Sequence, residues 1–211
     1  HLARRLHRPA HAGQVSLCRL SSRPPALARR LGPHTGLLLA LFTLGNSSNM
    51  FLLLRARELG FPEYQIPLLW ALVALTATLF STPLAALSDR LGRARLIVAG
   101  WLVYGGFYLL LGWNGYPALL WPLFALYGLF MAATEGAEKA LVADLAPREA
   151  LGTAYGWFNM IAGVMLLPAS LVFGWLWQQA GVATAFGFGA ACAVMAALLL
   201  RGWVFRAAGE A

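Results

Sequence analysis

Three clusters of polar and charged side chains interrupt otherwise apolar stretches of this sequence, and they are its candidates for chemistry. They lie at 46–49, 85–95 and 135–139. Amides and hydroxyls offer hydrogen bonds, whereas carboxylates beside cations offer ion pairs or a site for a proton. Because such groups are costly inside hydrocarbon, each cluster must contact protein, water or lipid headgroups.

The residues between these clusters do not favour enzyme chemistry. All four histidines lie at or before residue 34, so the apolar region has no imidazole for base catalysis or metal binding. No Gly-x-Ser-x-Gly segment and no group of aspartates appears, and Cys18 and Cys192 are expected at different depths. We expect no catalytic residue, no metal and no cofactor. A polytopic membrane hydrolase or lipid transferase is the alternative of another class.

Composition places the clusters in a membrane protein. Sixty per cent of the 211 residues are hydrophobic and 11% are charged, which is far more apolar than a soluble domain. At about 20 residues per helical span, this length accommodates about six spans, and the absence of an initial Met suggests a fragment. We predict an all-α membrane protein with spans at 36–54, 66–87, 96–113, 117–141, 152–177 and 182–200, a basic cytoplasmic linker at 1–35, a membrane region at 36–205 and a cytoplasmic tail at 206–211.

The first cluster interrupts the first predicted span near its middle. It consists of Asn46, Ser47, Ser48 and Asn49. In an unbroken helix Asn46 and Asn49, three residues apart, share one face. Two interpretations stay open: hydrogen bonds that hold neighbouring helices together, or a polar wall of a substrate path through the membrane.

The second cluster lies between the second and third predicted spans. It contains an acid, three arginines and a glycine, so the chain must leave the membrane here and turn back. Asp89, Arg90, Gly92 and Arg93 match the pattern G-x-x-x-D-R-x-G-R-R/K, and this spacing resembles the signature loop of the major facilitator superfamily. Ala85 stands where that family usually has its first glycine.

A second segment adds to the resemblance. Asp144-Leu145-Ala146-Pro147 is followed by Gly152 and Gly156, and D-L-x-P before a small-residue-rich helix is similar to the family's connection between its fourth and fifth spans. The two glycines, one turn apart, are expected to let a neighbouring helix approach closely.

The resemblance implies one half of a transporter bundle, and the basic stretch before the first span favours the C-terminal half. Members move sugars, drugs, peptides, metabolites or ions by alternating access between two pseudo-symmetric halves. In the family the loop Asp helps to lock neighbouring helices, while the arginines lie at the headgroups. The implied partners are the bilayer, a small-molecule substrate and an N-terminal half. A non-transporting scaffold or sensor is the second alternative.

The third cluster, Glu135, Glu138 and Lys139, holds the densest charge inside any apolar run. Glu135 precedes Lys139 by four residues, the favourable order for a helical ion pair, and Glu138 projects from a neighbouring face. At about 1.5 Å per residue from Pro117, Glu135 lies about 27 Å along the helix and near the cytoplasmic interface. This depth favours a structural or gating pair over a proton-coupling acid, and a proton is the candidate coupling ion.

The distribution of basic residues predicts the orientation. Of the 16 Lys and Arg residues, only Arg55 and Arg57 fall on the side opposite the linker. Short-loop asymmetry of this kind places the basic side and both termini in the cytoplasm. The net charge of +8 therefore reflects membrane topology, and we expect no nucleic acid. The preference for Arg, Ala, Leu and Gly is typical of a bacterial protein, which suggests the inner membrane.

Overall fold

The computed structural model describes the backbone of residues 26–209 and the side chains of residues 36–144 and 146–202. Residues 1–25 of the predicted linker and residues 210–211 of the predicted tail lie outside it. Within the described range the chain is helical and has no strand, which confirms the predicted fold class. Its α-helices are α1 (Ala26–Gly45), α2 (Met50–Glu58), α3 (Ile66–Leu91), α4 (Arg93–Trp113), α5 (Leu120–Leu145), α6 (Leu151–Ala180) and α7 (Val182–Gly209).

Six helical stretches of the described residues are long and apolar enough to cross a membrane, and this confirms the predicted number. The first stretch, Gly36–Glu58, combines α1 and α2. At the two ends of the described range the helices run further than the predicted spans. α1 begins at Ala26, inside the segment predicted as a linker, and α7 continues to Gly209, inside the segment predicted as a tail.

The core lies around α4, whose large aromatic side chains pack against aromatic rings of α5 and α7. Tyr104, Phe107 and Tyr108 of α4 are fully buried, and their spacing of three and four residues places them along one stripe of the helix. Ala193 and Ala197 of α7 are also fully buried. Small side chains on one helix let the backbone of the other approach, which is how helices associate where lipid offers no hydrophobic driving force.

Two helix crossings depend on glycine. At the crossing of α1 and α7, a Cβ on Gly45 would lie 2.8 Å from the carbonyl oxygen of Gly189. At the crossing of α3 and α5, a Cβ on Gly128 would lie 2.6 Å from the carbonyl oxygen of Val73 and would overlap the hydroxyl of Thr76. Any side chain at Gly45 or Gly128 would therefore push the two helices apart.

The close approach predicted at Gly152 and Gly156 is wrong for the described residues. A Cβ on either glycine would meet nothing within 4 Å. Both lie on α6, and α6 and α3 contain the least buried spans, with 11% of each apolar window buried compared with 56% for α4. The sequence shows that one face of a helix carries small residues, but it does not show whether another helix packs on that face.

The same two helices expose many large apolar side chains, among them Leu75 and Leu79 of α3 and Leu167 and Leu171 of α6. Such side chains are stable only against lipid or another protein.

Candidate functional site

The predicted polar cluster at 46–49 is the place where the first span breaks. α1 ends at Gly45 and α2 begins at Met50, and the residues between them are not helical. The prediction that Asn46 and Asn49 share one helical face is therefore wrong, because it assumed an unbroken helix. Asn and Ser side chains compete with the backbone for hydrogen bonds, which favours such interruptions.

Two tyrosines of α4 stabilise the first part of the break. The Tyr104 hydroxyl lies 3.2 Å from two acceptors, the side-chain oxygen of Asn46 and the backbone oxygen of Gly45. The hydroxyls of Tyr108 and Ser47 lie 3.2 Å apart, and both groups are buried. These contacts hold the end of α1 against α4, so the first part of the cluster acts as interhelical hydrogen bonding.

A tyrosine of α5 contacts the second part of the break. The Tyr127 hydroxyl donates a hydrogen bond of 2.8 Å to the side-chain oxygen of Asn49. Asn49 itself is exposed, and so is its neighbour Met50, whose side chain is 72% accessible. The side-chain NH₂ group of Asn49 donates to no acceptor among the described residues, so this end of the break presents a hydrogen-bond donor outward.

Sequence reasoning missed Tyr104, Tyr108 and Tyr127, although a signal was present. All three lie inside apolar runs, away from the ends where aromatic belts form. A buried tyrosine hydroxyl needs a hydrogen-bond partner. The side-chain oxygens of the polar segment at 46–49 offer acceptors in a neighbouring span.

The charged loop is a tight connection between α3 and α4. Gly92 has a φ of +92°, a conformation that favours glycine. The next residue, Arg93, donates to the backbone oxygen of Ala140 and forms an ion pair with Asp144, both on α5. The first turn of α4 is thereby tied to the end of α5.

Asp89 and Arg90 make fewer contacts than Arg93. The Asp89 carboxylate is 71% exposed and lies 3.9 Å from the guanidinium of Arg93. Arg90 is exposed as well. Within the described residues the closest carboxylate to Arg93 therefore belongs to Asp144. The sequence places Asp144 in the D-L-x-P segment but predicts no partner for it.

The predicted charge cluster on α5 divides into two faces. The indole NH of Trp101 donates a hydrogen bond of 3.0 Å to Glu138, and the Trp101 ring stacks on Phe42 with centroids 4.6 Å apart. Trp101 is only 4% exposed, so it lies inside the bundle and not in an interfacial aromatic belt. On the other face, Glu135 and Lys139 line an open groove.

The ion pair predicted between Glu135 and Lys139 is absent from the structure. Among the described residues, the ion pairs within 4.0 Å join other charges. The helical spacing permits the pair, but both side chains are exposed toward the groove instead.

A further arginine closes the opposite end of the bundle. Arg55 donates to the backbone oxygens of Leu111 and Asn114 at the end of α4, at 3.4 and 2.8 Å. It also pairs with Glu58, three residues along the same helix, at 3.4 Å, and the indole NH of Trp177 donates to the same carboxylate.

Comparison with known sequences decides the family. Residues 35–211 match the sequence profile of the Major Facilitator Superfamily. The chain belongs to the major facilitator superfamily. It is 38% identical over 170 residues to an uncharacterized MFS-type transporter of Methanocaldococcus jannaschii, and this alignment covers 78% of the chain and 42% of that protein. The aligned part of the chain thus spans less than half the length of this relative.

Membership of this transporter family, together with the six apolar helices, makes the chain an integral multi-pass membrane protein. In this MFS chain the predicted polar clusters occupy two regions. The loop cluster and the α5 charges lie at the same end, because Arg93 contacts Ala140 next to Lys139. The break at 46–49 contacts neither of them and is held by tyrosines.

Proposed function

We propose that this MFS chain is the C-terminal half of a secondary active transporter, which moves a small solute by alternating access between two related halves. The observation that carries the proposal is the interrupted first span with its exposed amide. The proposal makes the chain a transporter and not an enzyme, and it assigns the protein no cofactor.

Backbone without helical hydrogen bonds is tolerated at membrane depth only against protein or a water-filled cavity. Asn49 is exposed at the break and its NH₂ group bonds no described residue, so lipid is an unsuitable neighbour for this amide. Tyrosine hydroxyls occupy the side-chain oxygens of Asn46 and Asn49, whereas the NH₂ groups of both amides stay available to a solute. In this proposal the side-chain oxygens of Asn46 and Asn49 hold neighbouring helices together, and their NH₂ groups face the substrate path.

A second half would cover α3 and α6. Only 11% of the apolar window of each is buried, and the curated relative is more than twice as long as its aligned part. The partners in this proposal are the bilayer, a small-molecule solute and an N-terminal half, without nucleic acid.

The basic residues set the proposed orientation. Arg90, Arg93 and Arg95 lie at one end of the bundle, and Arg55 and Arg57 lie at the other. The positive-inside rule places the first group in the cytoplasm, and with it both termini. The membrane proposed is the bacterial inner membrane, and a proton is the proposed coupling ion.

Reconstitution tests the proposal. The chain is placed in liposomes alone and together with an N-terminal half, and uptake of a panel of radiolabelled sugars, amino acids and organic cations is followed with and without a proton gradient. We expect saturable, gradient-dependent uptake only when both halves are present. Saturable uptake by the chain as a verified monomer would contradict the half-transporter proposal, and no uptake of any solute by the assembled pair would favour the scaffold alternative.

The matched variants are Asn49→Ala and Thr78→Ala. Asn49→Ala removes the exposed donor and is expected to raise the apparent KM about tenfold. Thr78 lies exposed on α3 and bonds its own helix at Ala74, so its substitution should leave KM unchanged. If Asn49→Ala lowers thermal stability and leaves KM unchanged, the amide only holds helices together.

A further inference from the structure

An open groove of about 480 Å³ lies between α3 and α5. Its volume falls within the range of roughly 300–1,000 Å³ that is typical of small-molecule sites. Small side chains form much of the wall, among them Ala77 and Ala85 of α3 and Ala133 and Ala137 of α5. Their size leaves room for a ligand between the helices.

Two opposite charges enter this groove without pairing with each other. Glu135 and Lys139 are one turn apart on α5, and both are exposed and line the groove. Neither forms an ion pair within 4.0 Å with any described residue. Both charges are therefore available to a bound molecule.

The wall contributed by α3 adds hydrogen-bond acceptors. Ser81 and Ser88 line the groove, and their hydroxyls donate to Thr78 and Ala85 of their own helix at 2.9 and 2.8 Å. Since each proton is already used, the hydroxyl oxygens remain as acceptors. A ligand with ammonium donors finds a carboxylate and neutral acceptors in one groove, and a ligand with an anionic group finds the ammonium of Lys139.

We propose that this groove binds a dipolar molecule, with its ammonium on Glu135 and its anionic oxygen group on Lys139. The assignment to solute transport rests on the proposed function, whereas the binding does not. A simple cation or anion would satisfy one protein charge and leave the other unpaired, which makes a molecule with both groups the better fit. A free α-amino acid and a phosphatidylethanolamine headgroup share this chemistry.

The first arm of the test uses L-alanine. The 211-residue chain is purified into phosphatidylcholine nanodiscs, a lipid without an NH donor, and binding of radiolabelled alanine is measured at equilibrium. Alaninamide and N-acetylalanine, which each keep one of the two charges, serve as comparison ligands. We expect both analogues to bind roughly tenfold more weakly than alanine.

Variants identify the residues. Glu135→Gln and Lys139→Met should each weaken alanine binding roughly tenfold. The double exchange Glu135→Lys with Lys139→Glu should restore much of it, because a small dipolar molecule can bind in the reverse direction. Glu149→Gln, outside the residues that line the groove, is the matched control and should change nothing.

The second arm tests the headgroup. If the ligand is a lipid, wild-type chain should be stabilised against heating in nanodiscs that contain phosphatidylethanolamine, with the gain lost in both single variants and regained in the exchange. Absence of both effects, or alanine binding unaffected by the single variants, overturns the proposal. Solute uptake by the assembled protein that is insensitive to these variants would overturn only the assignment of the groove to transport, while alanine binding without any transport would overturn only the proposed function.

Discussion

Two arginines close opposite ends of the bundle, and they do so with different partners. Arg55 bonds two backbone carbonyls at the end of α4, with Glu58 from its own helix as the third contact. Arg93 bonds one carbonyl of α5 and lies between two carboxylates, those of Asp144 and Asp89. One end is thus held mainly by the main chain and the other mainly by side-chain charges.

This difference affects how readily each end can rearrange. Carbonyls at a helix C-terminus are fixed by the fold and carry the negative end of the helix dipole, so Arg55 has no second arrangement within reach. Arg93 has two acidic partners, of which Asp144 is 54% and Asp89 71% exposed. An ion pair that can exchange one carboxylate for another suits an end whose helices rearrange relative to each other, while the carbonyl contacts suit an end whose helices move as one unit.

The largest effect is expected from Arg93→Ala. It removes the ion pair and the carbonyl bond that tie α4 to α5, which should lower the free energy of unfolding by about 2 kcal/mol. Transport by the assembled protein should fall at least tenfold. Arg93→Lys keeps the charge but loses the planar fork, so its values should lie between those of the wild type and Arg93→Ala. Equal behaviour of all three proteins in thermal unfolding and uptake would remove the distinction between the two ends.

Arg55→Ala should destabilise the chain by about 1 kcal/mol, since it removes the hydrogen bonds to the backbone oxygens of Leu111 and Asn114. Uptake per folded molecule should stay close to that of the wild type. The check is thermal unfolding combined with uptake normalised to folded protein. A loss of transport comparable with that of Arg93→Ala, at unchanged stability, would show that this end also takes part in switching.

Asp144→Asn separates the two carboxylates around Arg93. Since its ion pair is half exposed, we expect a loss of about 0.5–1 kcal/mol in stability, with a several-fold slower transport. Glu58→Gln at the opposite end is the matched control, because it also removes one carboxylate from an arginine but leaves the carbonyl bonds in place. Slower transport in both variants would contradict the proposed division of roles.

The smallest effect is expected from Asp89→Asn. Its carboxylate is exposed and 3.9 Å from Arg93, so the change in stability should stay below about 0.5 kcal/mol and should vanish in high salt. Transport should fall two- to threefold with substrate binding unchanged, as the loop resemblance implies. An uptake rate equal to the wild type at low salt would take Asp89 out of the switching role.

The fold was largely predictable because hydrophobic length determines how many helices cross a membrane. The six spans and the turn at Gly92 follow from apolar runs and from charges that cannot stay in hydrocarbon. The break at 46–49 was predicted as a polar interruption but not as an end of helix, since that depends on distant hydroxyls of Tyr104 and Tyr127.

The site was less predictable because its contacts are tertiary. Helical spacing alone gives a Glu135–Lys139 pair, whereas the groove beside α3 offers both side chains open space. Likewise the Arg93–Asp144 pair joins residues on different helices, and a single sequence contains no measure of which helix ends meet.

The crossing at Gly128 has a mechanical consequence. With Gly128 packed directly on the backbone of α3 at Val73, no flexible side chain lies between the two helices at this point. A tilt imposed on α3 by a neighbouring protein therefore moves α5 together with it. Since α5 carries Tyr127 at the break and Glu135 in the groove, one rigid motion displaces both regions together.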